Sequence, residues 1–359
     1  MSGLVPSGSQ RNDALPAVKQ PASRTQWHIR FYREGDEPAM LRVLQASFSV
    51  WPKVETSVQP IDHLRWKMAS HPIASRFHLV AEHGAEIIAV RLFIARDVMF
   101  AGRTLLAYQP VDISVIPDFQ DQGLLKQIRA LDYKRLEGRT YAETFDMKLF
   151  YESGHPAAKQ LQKEIPGSFA LGNQLAVLDH PNDGDRPTPP DGTPFAIRQT
   201  PAFDDRLDVF WREASPQFDL IHARTKDVMN WRYADPRAGD FTITLAEGDG
   251  LLLGYVITRC SRGRGYIADI LALPNRIDVV AALARSALTQ FRQASLERIE
   301  CWLPARHPYQ TPLRGLGFAP RRSPLRVRYR PFLTSERDLA LLQEPTARIH
   351  FTAGDTDLV

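Results

Sequence analysis

The pattern of hydrophobic and polar residues along this chain predicts a mixed α/β protein. Residues 29–33, 77–81 and 87–94 alternate as half-buried strands do, and residues 105–116 form a longer strand of the same kind. Between residues 124 and 136 the apolar positions recur at helical spacing, which predicts a helix that packs on one face. The chain therefore begins with a strand, a hairpin, a long strand and a helix.

Three more predicted elements follow before a turn-rich stretch. Residues 147–151 and 169–178 have the composition of strands, and residues 157–164 that of a helix. The same order of elements then recurs between residues 195 and 332. The recurrence indicates that the pattern of the first half is used twice.

Short strings of residue types confirm this repeat in the sequence. Their order and spacing are both kept, over a period far longer than the units of a solenoid, so the repeat indicates duplicated domains. The first copy contains LRWKM at 64–68, FHLVAEHG at 77–84 and DISVIPD at 112–118, and the second contains MNWRY at 229–233, FTITLAEG at 241–248 and DILALPN at 269–275.

Composition divides the chain further. The first 26 residues are rich in Ser, Pro, Ala and Gln without periodicity, which is typical of a disordered tail. The stretch 179–194 has the Pro, Gly and Asp content of a linker. We therefore expect a first domain at 27–178, a second at 195–332 and an extension at 333–359.

The bulk composition excludes several classes of protein. The net charge of +4 is spread along the 359 residues without a dense basic block, so nucleic acid is not an expected partner. The two cysteines, Cys260 and Cys301, have no metal-ligand or disulfide spacing, and we expect no metal. No apolar run is long enough for a membrane span. These features favour a cytoplasmic protein without a membrane partner, and they leave its oligomeric state open.

The turn between the long strand and the next helix carries the candidate chemistry. It reads Val-Ile-Pro-Asp-Phe-Gln-Asp-Gln-Gly-Leu-Leu at 115–125. A strand that enters a helix through a Gly-containing turn directs unpaired backbone N–H groups and the positive helix end to one point. That geometry is suited to binding pyrophosphate.

In residue order this segment resembles the signature of the GNAT N-acyltransferase superfamily. There a strand of the form V-x-P leads into Gln/Arg-x-x-Gly-x-Gly/Ala; here Gln120 and Gly123 match, and Leu125 stands where a small residue is usual. The resemblance covers 27–178 and 195–332 and implies two tandem GNAT-like α/β domains. It further implies that acetyl-CoA or another acyl-CoA binds at Ile113, Val115, Gln120, Asp121, Gln122, Gly123, Leu124 and Leu125.

The second copy lacks these features. Its corresponding segment, residues 273–279, contains no Gly and places Asp278 near the helix start, where it would repel a phosphate. We therefore expect the cofactor site in the first half and a degenerate second half.

Two residues are candidates for proton transfer. Asp112 on the long strand could act as a general base if desolvation raises its pKa, but Asp269 occupies the equivalent place, which favours a role in the fold. His155 lies at the turn where the resemblance implies substrate contacts, and His307 echoes it, so a role in the turn is an alternative. The Tyr that often protonates the thiolate in GNAT enzymes is missing.

Aromatic residues are the candidates for the acceptor pocket. Trp66, Tyr108 and Tyr151 could line it, although each is also explained as a core aromatic. The resemblance implies an acyl-CoA-dependent N-acyltransferase, acting by direct transfer on the amine of a small molecule such as an amino sugar or amino acid. The alternative is a non-catalytic CoA-binding or regulatory protein of the same fold.

Overall fold

The computed structural model describes residues 27–70, 74, 78–136, 144–151, 169–182, 194–294, 296–323, 325–331 and 336–357. The predicted tail, the predicted helix at 157–164 and most of the predicted linker lie outside these residues. No helix within the described ranges is long and apolar enough to cross a membrane. Cys260 is exposed, Cys301 is buried, and the two do not pair.

Strands make up most of the described secondary structure. They are β1 His28–Phe31, β2 Leu79–His83, β3 Glu86–Phe100, β4 Arg103–Val115, β5 Thr144–Tyr151, β6 Phe169–Ala170, β7 Leu175–His180, β8 Ala196–Thr200, β9 Leu220–His222, β10 Thr242–Gly248, β11 Leu251–Ser261, β12 Arg264–Ala272, β13 Arg298–Pro304, β14 Ala319–Arg322, β15 Leu325–Pro331 and β16 Ile349–His350.

Helices pack on the strands and connect them. The α-helices are α1 Glu37–Ser47, α2 Pro60–Met68, α3 Leu124–Leu136, α4 Arg206–Ala214, α5 Lys226–Met229, α6 Ile277–Arg292, α7 Gln310–Gly315 and α8 Glu336–Gln343. Shorter turns of 3-10 type occur at Pro117–Phe119, Ser215–Gln217, Pro236–Ala238 and Ala353–Asp355, and a π-helical turn occurs at Asn230–Ala234.

The predicted early elements are confirmed. The first strand, the hairpin and the long strand appear as β1, β2 with β3, and β4, and the helix predicted at 124–136 is α3. Helix α3 buries Leu124 and Ile128 against the β2–β3 hairpin, as the apolar spacing requires. The strand predicted at 147–151 is the second part of β5.

Two mixed sheets share one strand order. The first runs β1-β2-β3-β4-β5-β15-β6, with β9 and β16 attached beside β3, and the second runs β8-β10-β11-β12-β13-β7-β14. Each sheet has a parallel pair in its middle, β4 with β5 and β12 with β13, among antiparallel neighbours. The matching orders show that the duplicated sequence forms a duplicated fold.

The two halves exchange one strand each. Strand β7 from the first half lies between β13 and β14 of the second sheet. Strand β15 from the second half lies between β5 and β6 of the first sheet. The strand predicted at 169–178 is therefore divided: β6 stays in the first sheet, and β7 belongs to the second.

This exchange bears on the predicted domain boundaries. The division at 178 and 179 falls inside β7, which continues to His180. The domain boundaries at 27–178 and 195–332 stay a prediction. In the structure, strands from the two ranges pair with each other. Each half completes the sheet of the other.

The extension beyond residue 333 is also part of the structure. Strand β16 pairs in parallel with β9, which pairs with the end of β3. The 3-10 turn that follows has a capping box between Thr352 and Asp355. Gly354 fits tightly there, because a Cβ atom at this position would lie 2.0 Å from the Tyr233 hydroxyl. The C-terminal segment is thus packed between the two sheets.

The strand exchange predicts that the first half will not work alone. A chain that ends after Leu178 retains the turn at 120–125 but lacks β15, so β5 becomes an open sheet edge. Its residual β7 segment also loses both partner strands. We expect this fragment to be poorly soluble or inactive, as measured by size-exclusion chromatography and acyl-CoA titration.

Co-expression provides the control. Residues 27–182 and 194–359, produced as two chains, supply both exchanged strands and should form a soluble one-to-one complex. A soluble, monomeric and fully active first half would show that the exchange is dispensable.

Candidate functional site

Strands β4 and β5 separate near the middle of the first sheet. Their parallel pairing covers Leu106–Tyr108 with Thr144–Asp146, after which β4 continues to Val115 and β5 to Tyr151 without a pairing between them in the described residues. Strand β5 remains paired with β15 on its other side. The backbone of β4 beyond Tyr108 therefore borders an opening in the sheet.

The turn after β4 exposes backbone N–H groups at this opening. The first bond within α3 runs from the Gln127 N–H to the Gly123 carbonyl at 3.2 Å, so the amides before Gln127 have no acceptor within the helix. Asp121 and Gly123 adopt φ angles of 58° and 85°, and residues 120–123 are exposed. The Gln120 side chain donates to the Val115 carbonyl at 2.9 Å, which holds the turn on the strand end.

The bulky residues after Gly123 do not fill the turn equally. Leu124 is buried in the core between α3 and the hairpin, whereas Leu125 is half-buried at the helix surface. Ile113 is half-buried, and Val115 belongs to the same core as Leu124. Any contact of Ile113 and Val115 with a cofactor would therefore come chiefly from the strand backbone.

The corresponding opening in the second half is filled. Strands β12 and β13 stop pairing after Ile267 and Cys301, but the buried Tyr309 hydroxyl lies beside Ala272 of β12. It accepts from the Ala272 N–H at 3.1 Å and donates to the Ala272 carbonyl at 3.3 Å. A side chain thus bonds to both backbone groups of Ala272, whereas at the equivalent Val115 of the first half the carbonyl accepts from the side chains of Gln120 and Ser47, at 2.9 and 3.1 Å.

The second turn differs in charge as well. Asp278 lies in the first turn of α6 and is paired with Arg276 at 2.8 Å. Asn275 adopts a φ of 64°, so the turn keeps a left-handed residue without a glycine. The carboxylate predicted at the helix start is present, and it is held there by an arginine.

Strand β4 contains a β-bulge at Asp112. The register with β3 shifts between Val90 and Leu92, and Asp112 has a φ of 45°. Val111 and Asp112 both face α2, because Val111 packs in the core of α1 and α2 and Asp112 binds Lys67. The strict alternation predicted for this strand is therefore wrong at Asp112.

Asp112 is the acceptor of a buried ion pair. Its carboxylate is 1% exposed and lies 2.6 Å from the Lys67 ammonium and 3.8 Å from that of Lys53. Burial alone would raise the pKa of Asp112, but the two ammonium groups lower it below the ordinary value. Asp269 resembles it: buried beside Arg224 at 3.3 Å, it has a lowered pKa. The raised pKa expected for a general base is not found.

The two repeated tryptophans meet each other. The rings of Trp66 and Trp231 stack with centroids 4.8 Å apart and planes at 14°. The Trp66 indole N–H donates to the Trp231 carbonyl at 2.8 Å, and the Trp231 indole N–H donates to the Trp66 carbonyl at 3.3 Å. Equivalent residues make the same contact in both directions, as at a two-fold axis. Trp66 is thus an anchor between the halves.

A small cavity lies beside this contact, lined by residues of both halves and of the C-terminal segment. Trp66 and His63 form part of its wall. His63 donates from Nδ1 to the Arg237 carbonyl at 2.7 Å, so Nε2 is left as an acceptor, and burial lowers the pKa of His63 to about 4. The charged side chains that line the cavity are Lys53, Lys67, Arg96, Arg232 and Asp357.

The C-terminal segment is tied down by Asp355. Its buried carboxylate accepts from Arg224 at 2.7 Å and from His222 at 2.8 Å, and Arg96 lies 3.9 Å away. Burial alone would raise the pKa of Asp355, but Arg224 and the hydrogen bond from His222 hold it well below its ordinary value. The segment therefore connects both halves and brings Thr356 to the cavity.

Buried histidines form a second chain of bonds behind this segment. The Tyr309 N–H donates to His307 Nδ1 at 3.1 Å, His307 Nε2 faces His350 Nδ1 at 3.0 Å, and His350 Nε2 faces Asp269 at 3.4 Å. The direction of the first bond fixes the protons of both imidazoles on Nε2. Burial lowers the pKa of His222, His307 and His350, so all three are neutral near pH 7.

The predicted site residues fall into separate groups. Gln120–Leu125 form the turn, Asp112 and Trp66 lie beside the cavity, and the buried Tyr108 packs with Phe93. Tyr151 ends β5, but its side chain lies outside the described part of the chain, as does His155.

No pattern in the sequence marks most of the cavity. Its cations come from segments far apart in the chain, with Arg96 on β3 and Arg232 in the π-helical turn. The repeat does pair Lys67 with Arg232, and that correspondence was the one available clue. His63 and His78 are both buried.

Comparison with known proteins identifies the fold. The structure matches a GCN5-related N-acetyltransferase from Anabaena variabilis (TM-score 0.59, 10% identity, 85% of this chain and 72% of that one). It matches another from Kribbella flavida (TM-score 0.56, 13% identity, 85% and 70%). The chain has the GNAT fold. The N-myristoyltransferase of Saccharomyces cerevisiae, solved with myristoyl-CoA, also matches (TM-score 0.56, 11% identity, 87% and 80%).

These likenesses are structural. No protein-family model and no curated protein sequence matches the chain. The agreement covers about 85% of this chain and therefore residues of both halves. No group of three or more metal-ligating side chains occurs among the residues that the structure describes.

The neutral histidines predict a loss of stability in mild acid. Their pKa values are lower in the folded chain than the ordinary 6.5, so the unfolded chain takes up protons first as the pH falls. Stability should be fully present above about pH 6.5 and decrease below it, by up to about 1.4 kcal/mol per pH unit for each histidine. Urea unfolding at several pH values between about 8 and 5 measures this.

The buried carboxylates Asp112, Asp269 and Asp355 do not contribute to the change of stability between about pH 8 and 5. Their pKa values are lowered from 3.8, so they titrate at lower pH. The variant His350→Gln should reduce the pH slope, and His83→Gln, at an exposed hairpin turn, should not. A free energy of unfolding that stays constant from pH 7 to 5 would contradict the prediction.

Proposed function

We propose that this chain is an acyl-CoA-dependent N-acyltransferase that transfers an acyl group, with acetyl as the first candidate, to the amine of a small molecule. The main support is the asymmetry between the halves. The first half has an opening between β4 and β5 beside an exposed turn, and in the second half the Tyr309 hydroxyl bonds to Ala272 of β12. The GNAT fold supplies the class of reaction.

In this proposal the turn at 120–125 binds the pyrophosphate of CoA. Exposed amides, two left-handed residues and the positive end of α3 all favour an anion there. The pantetheine arm would lie along β4, where Ile113 and Val115 offer backbone groups. The thioester would then lie along β4 near Asp112, whose carboxylate binds the cavity residue Lys67.

The chemical step needs no covalent intermediate. The amine nitrogen attacks the thioester carbon, its proton goes to a base, and the C–S bond breaks. The thiolate of CoA then takes up a proton, from that base or from water, and leaves as the thiol. Asp112 and His155 remain predictions for the proton path, and the lowered pKa of Asp112 makes it a weak base. His63, which keeps a free Nε2 in the cavity wall, is an additional proton acceptor. Holding amine and thioester together supplies the rest.

The competing function is a CoA-binding protein without catalysis. Leu125 and the missing Tyr keep this alternative open. Titration calorimetry with acetyl-CoA and longer acyl-CoAs tests binding, and a panel of amines followed by thiol release tests turnover. Binding without thiol release from any amine would favour the alternative. A cytoplasmic location also stays a prediction.

The first prediction for this function concerns charge in the turn. Gly123→Asp places a carboxylate among the amides, and a Cβ atom at this position meets no other atom within 4 Å. CoA affinity measured by calorimetry should fall about tenfold or more, which corresponds to about 1.4 kcal/mol. Gly123→Asn is the matched control, because it has the same shape, tolerates the left-handed backbone and carries no charge.

The second half offers a further control. Asn275 is also left-handed, with a φ of 64°, so Asn275→Asp makes the same change of charge in the equivalent turn. It should leave CoA affinity unchanged. Equal losses from Gly123→Asp and Asn275→Asp would defeat the assignment of one cofactor half.

A second prediction separates the two roles of Asp112. If it mainly balances the buried Lys67, Asp112→Asn leaves that ammonium uncompensated and costs on the order of 3 kcal/mol of folding free energy. Adding Lys67→Met removes the orphaned charge and should restore much of the melting temperature. Thermal unfolding of the two single variants and the double variant measures this coupling.

Turnover then decides the catalytic role. If Asp112 is the base, Asp112→Asn should lower the rate of thiol release by roughly 10² to 10⁴ with CoA binding intact. Asp269→Asn, in the degenerate half, should lower stability without that specific loss of rate. Should Asp112→Asn remain both stable and active, neither role would stand.

A further inference from the structure

The cavity between the halves contains more positive than negative charge. Four cationic side chains line it: Lys53, Lys67, Arg96 and Arg232. Two carboxylates, Asp112 and Asp357, lie 2.6 and 3.4 Å from the Lys67 ammonium. They balance Lys67 and one other cation, so a positive charge remains.

Arg96 is the least compensated of these cations. Its side chain is 8% exposed, Nη1 donates to the Asp355 backbone carbonyl at 3.3 Å, and Nε has no hydrogen-bond partner in the structure. The Asp355 carboxylate is taken by Arg224 at 2.7 Å and lies 3.9 Å from Arg96. A buried guanidinium without a close carboxylate is costly and attracts an anion.

Arg232 adds a second positive charge near Arg96. It donates to the carbonyl oxygens of Gly354 and Thr356, at 3.3 and 3.5 Å, which are uncharged acceptors. Burial and the nearby Arg232 lower the pKa of Arg96 to about 10, as expected where cations crowd together. Lys53, whose side chain is 38% exposed, stands at the more open side.

We propose that this cavity binds a carboxylate group of the acceptor, so that the substrates are small amines that also carry a carboxylate. The proposal rests on the function proposed above, because it names the class of amine that the acyl group reaches. Guanidinium groups bind carboxylates through paired N–H donors, and Lys53 adds charge attraction. The acceptor Nε2 of His63 is available to the ammonium end.

The same field disfavours other amines. A diamine would bring a second positive charge next to Arg96 and Arg232 and would be repelled. A neutral amino amide of similar size would bring no negative charge to Arg96. The cavity therefore selects by charge among molecules of similar size.

Binding of product analogues tests the proposal without relying on turnover. N-acetylglycine and N-acetylglycinamide have almost the same shape and differ by one negative charge. We expect calorimetry on the full chain to give about tenfold tighter binding of N-acetylglycine, with an affinity that falls as salt is added. Lys53→Met and Arg96→Met should each lower that affinity toward the value for the amide.

Arg198→Met is the control variant. Arg198 lies on β8, is 47% exposed and pairs with Glu247 away from the cavity, so its loss should leave both affinities unchanged. If Arg96→Met unfolds, as its melting curve would show, Lys53→Met still tests the site, because Lys53 has no contact to Asp112 closer than 3.8 Å.

Two outcomes would overturn the proposal. They are equal affinity for the two probes, or no effect of Lys53→Met in the folded protein. Thiol release with glycine against glycinamide is measured separately. N-acetylglycine binding without thiol release from acetyl-CoA would leave the carboxylate site standing and remove the proposed function.

Discussion

The reciprocal exchange of β7 and β15 is the constraint on which the rest of this structure depends. Each strand supplies backbone hydrogen bonds to two strands of the opposite sheet. Buried backbone groups must be paired, so neither sheet can be completed without the other half. The stacked pair Trp66 and Trp231 lies where the two copies meet and bonds in both directions. The halves are therefore held in one relative position, and the cavity between them is a product of that arrangement.

Within this symmetric frame the two halves have become chemically different. Both keep the diverging parallel strands and a buried aspartate on the long strand, Asp112 or Asp269. In the second half the Tyr309 hydroxyl bonds to the backbone of Ala272 on β12, and the buried His307 and His350 lie behind it. In the first half the same backbone borders an opening. The second half thus packs against the first and supplies β15, the strand that completes the first sheet.

The C-terminal segment links the contact between the two halves to the positive charge of the cavity. Asp355 binds Arg224 and His222 of the second half and lies near Arg96 of the first. Because the Asp355 carboxylate is used in this way, Arg96 is left with weak compensation at the edge of the cavity. The Asp355 carboxylate therefore fixes the segment in place. Because it binds Arg224 more closely than Arg96, it also leaves positive charge where we propose that the acceptor binds.

The sequence by itself determined the features that depend on residues near one another in the chain. Period-two and helical spacing located β4 and α3, the repeated strings revealed the duplication, and Gly123 with Gln120 marked the turn. Tertiary structure decided the rest. The partner of β5 is a strand that begins at Leu325, and no local pattern specifies which half a strand joins. The pKa of Asp112 depends on ammonium groups brought to it from other segments, because charge interactions follow distance in space and not distance in sequence.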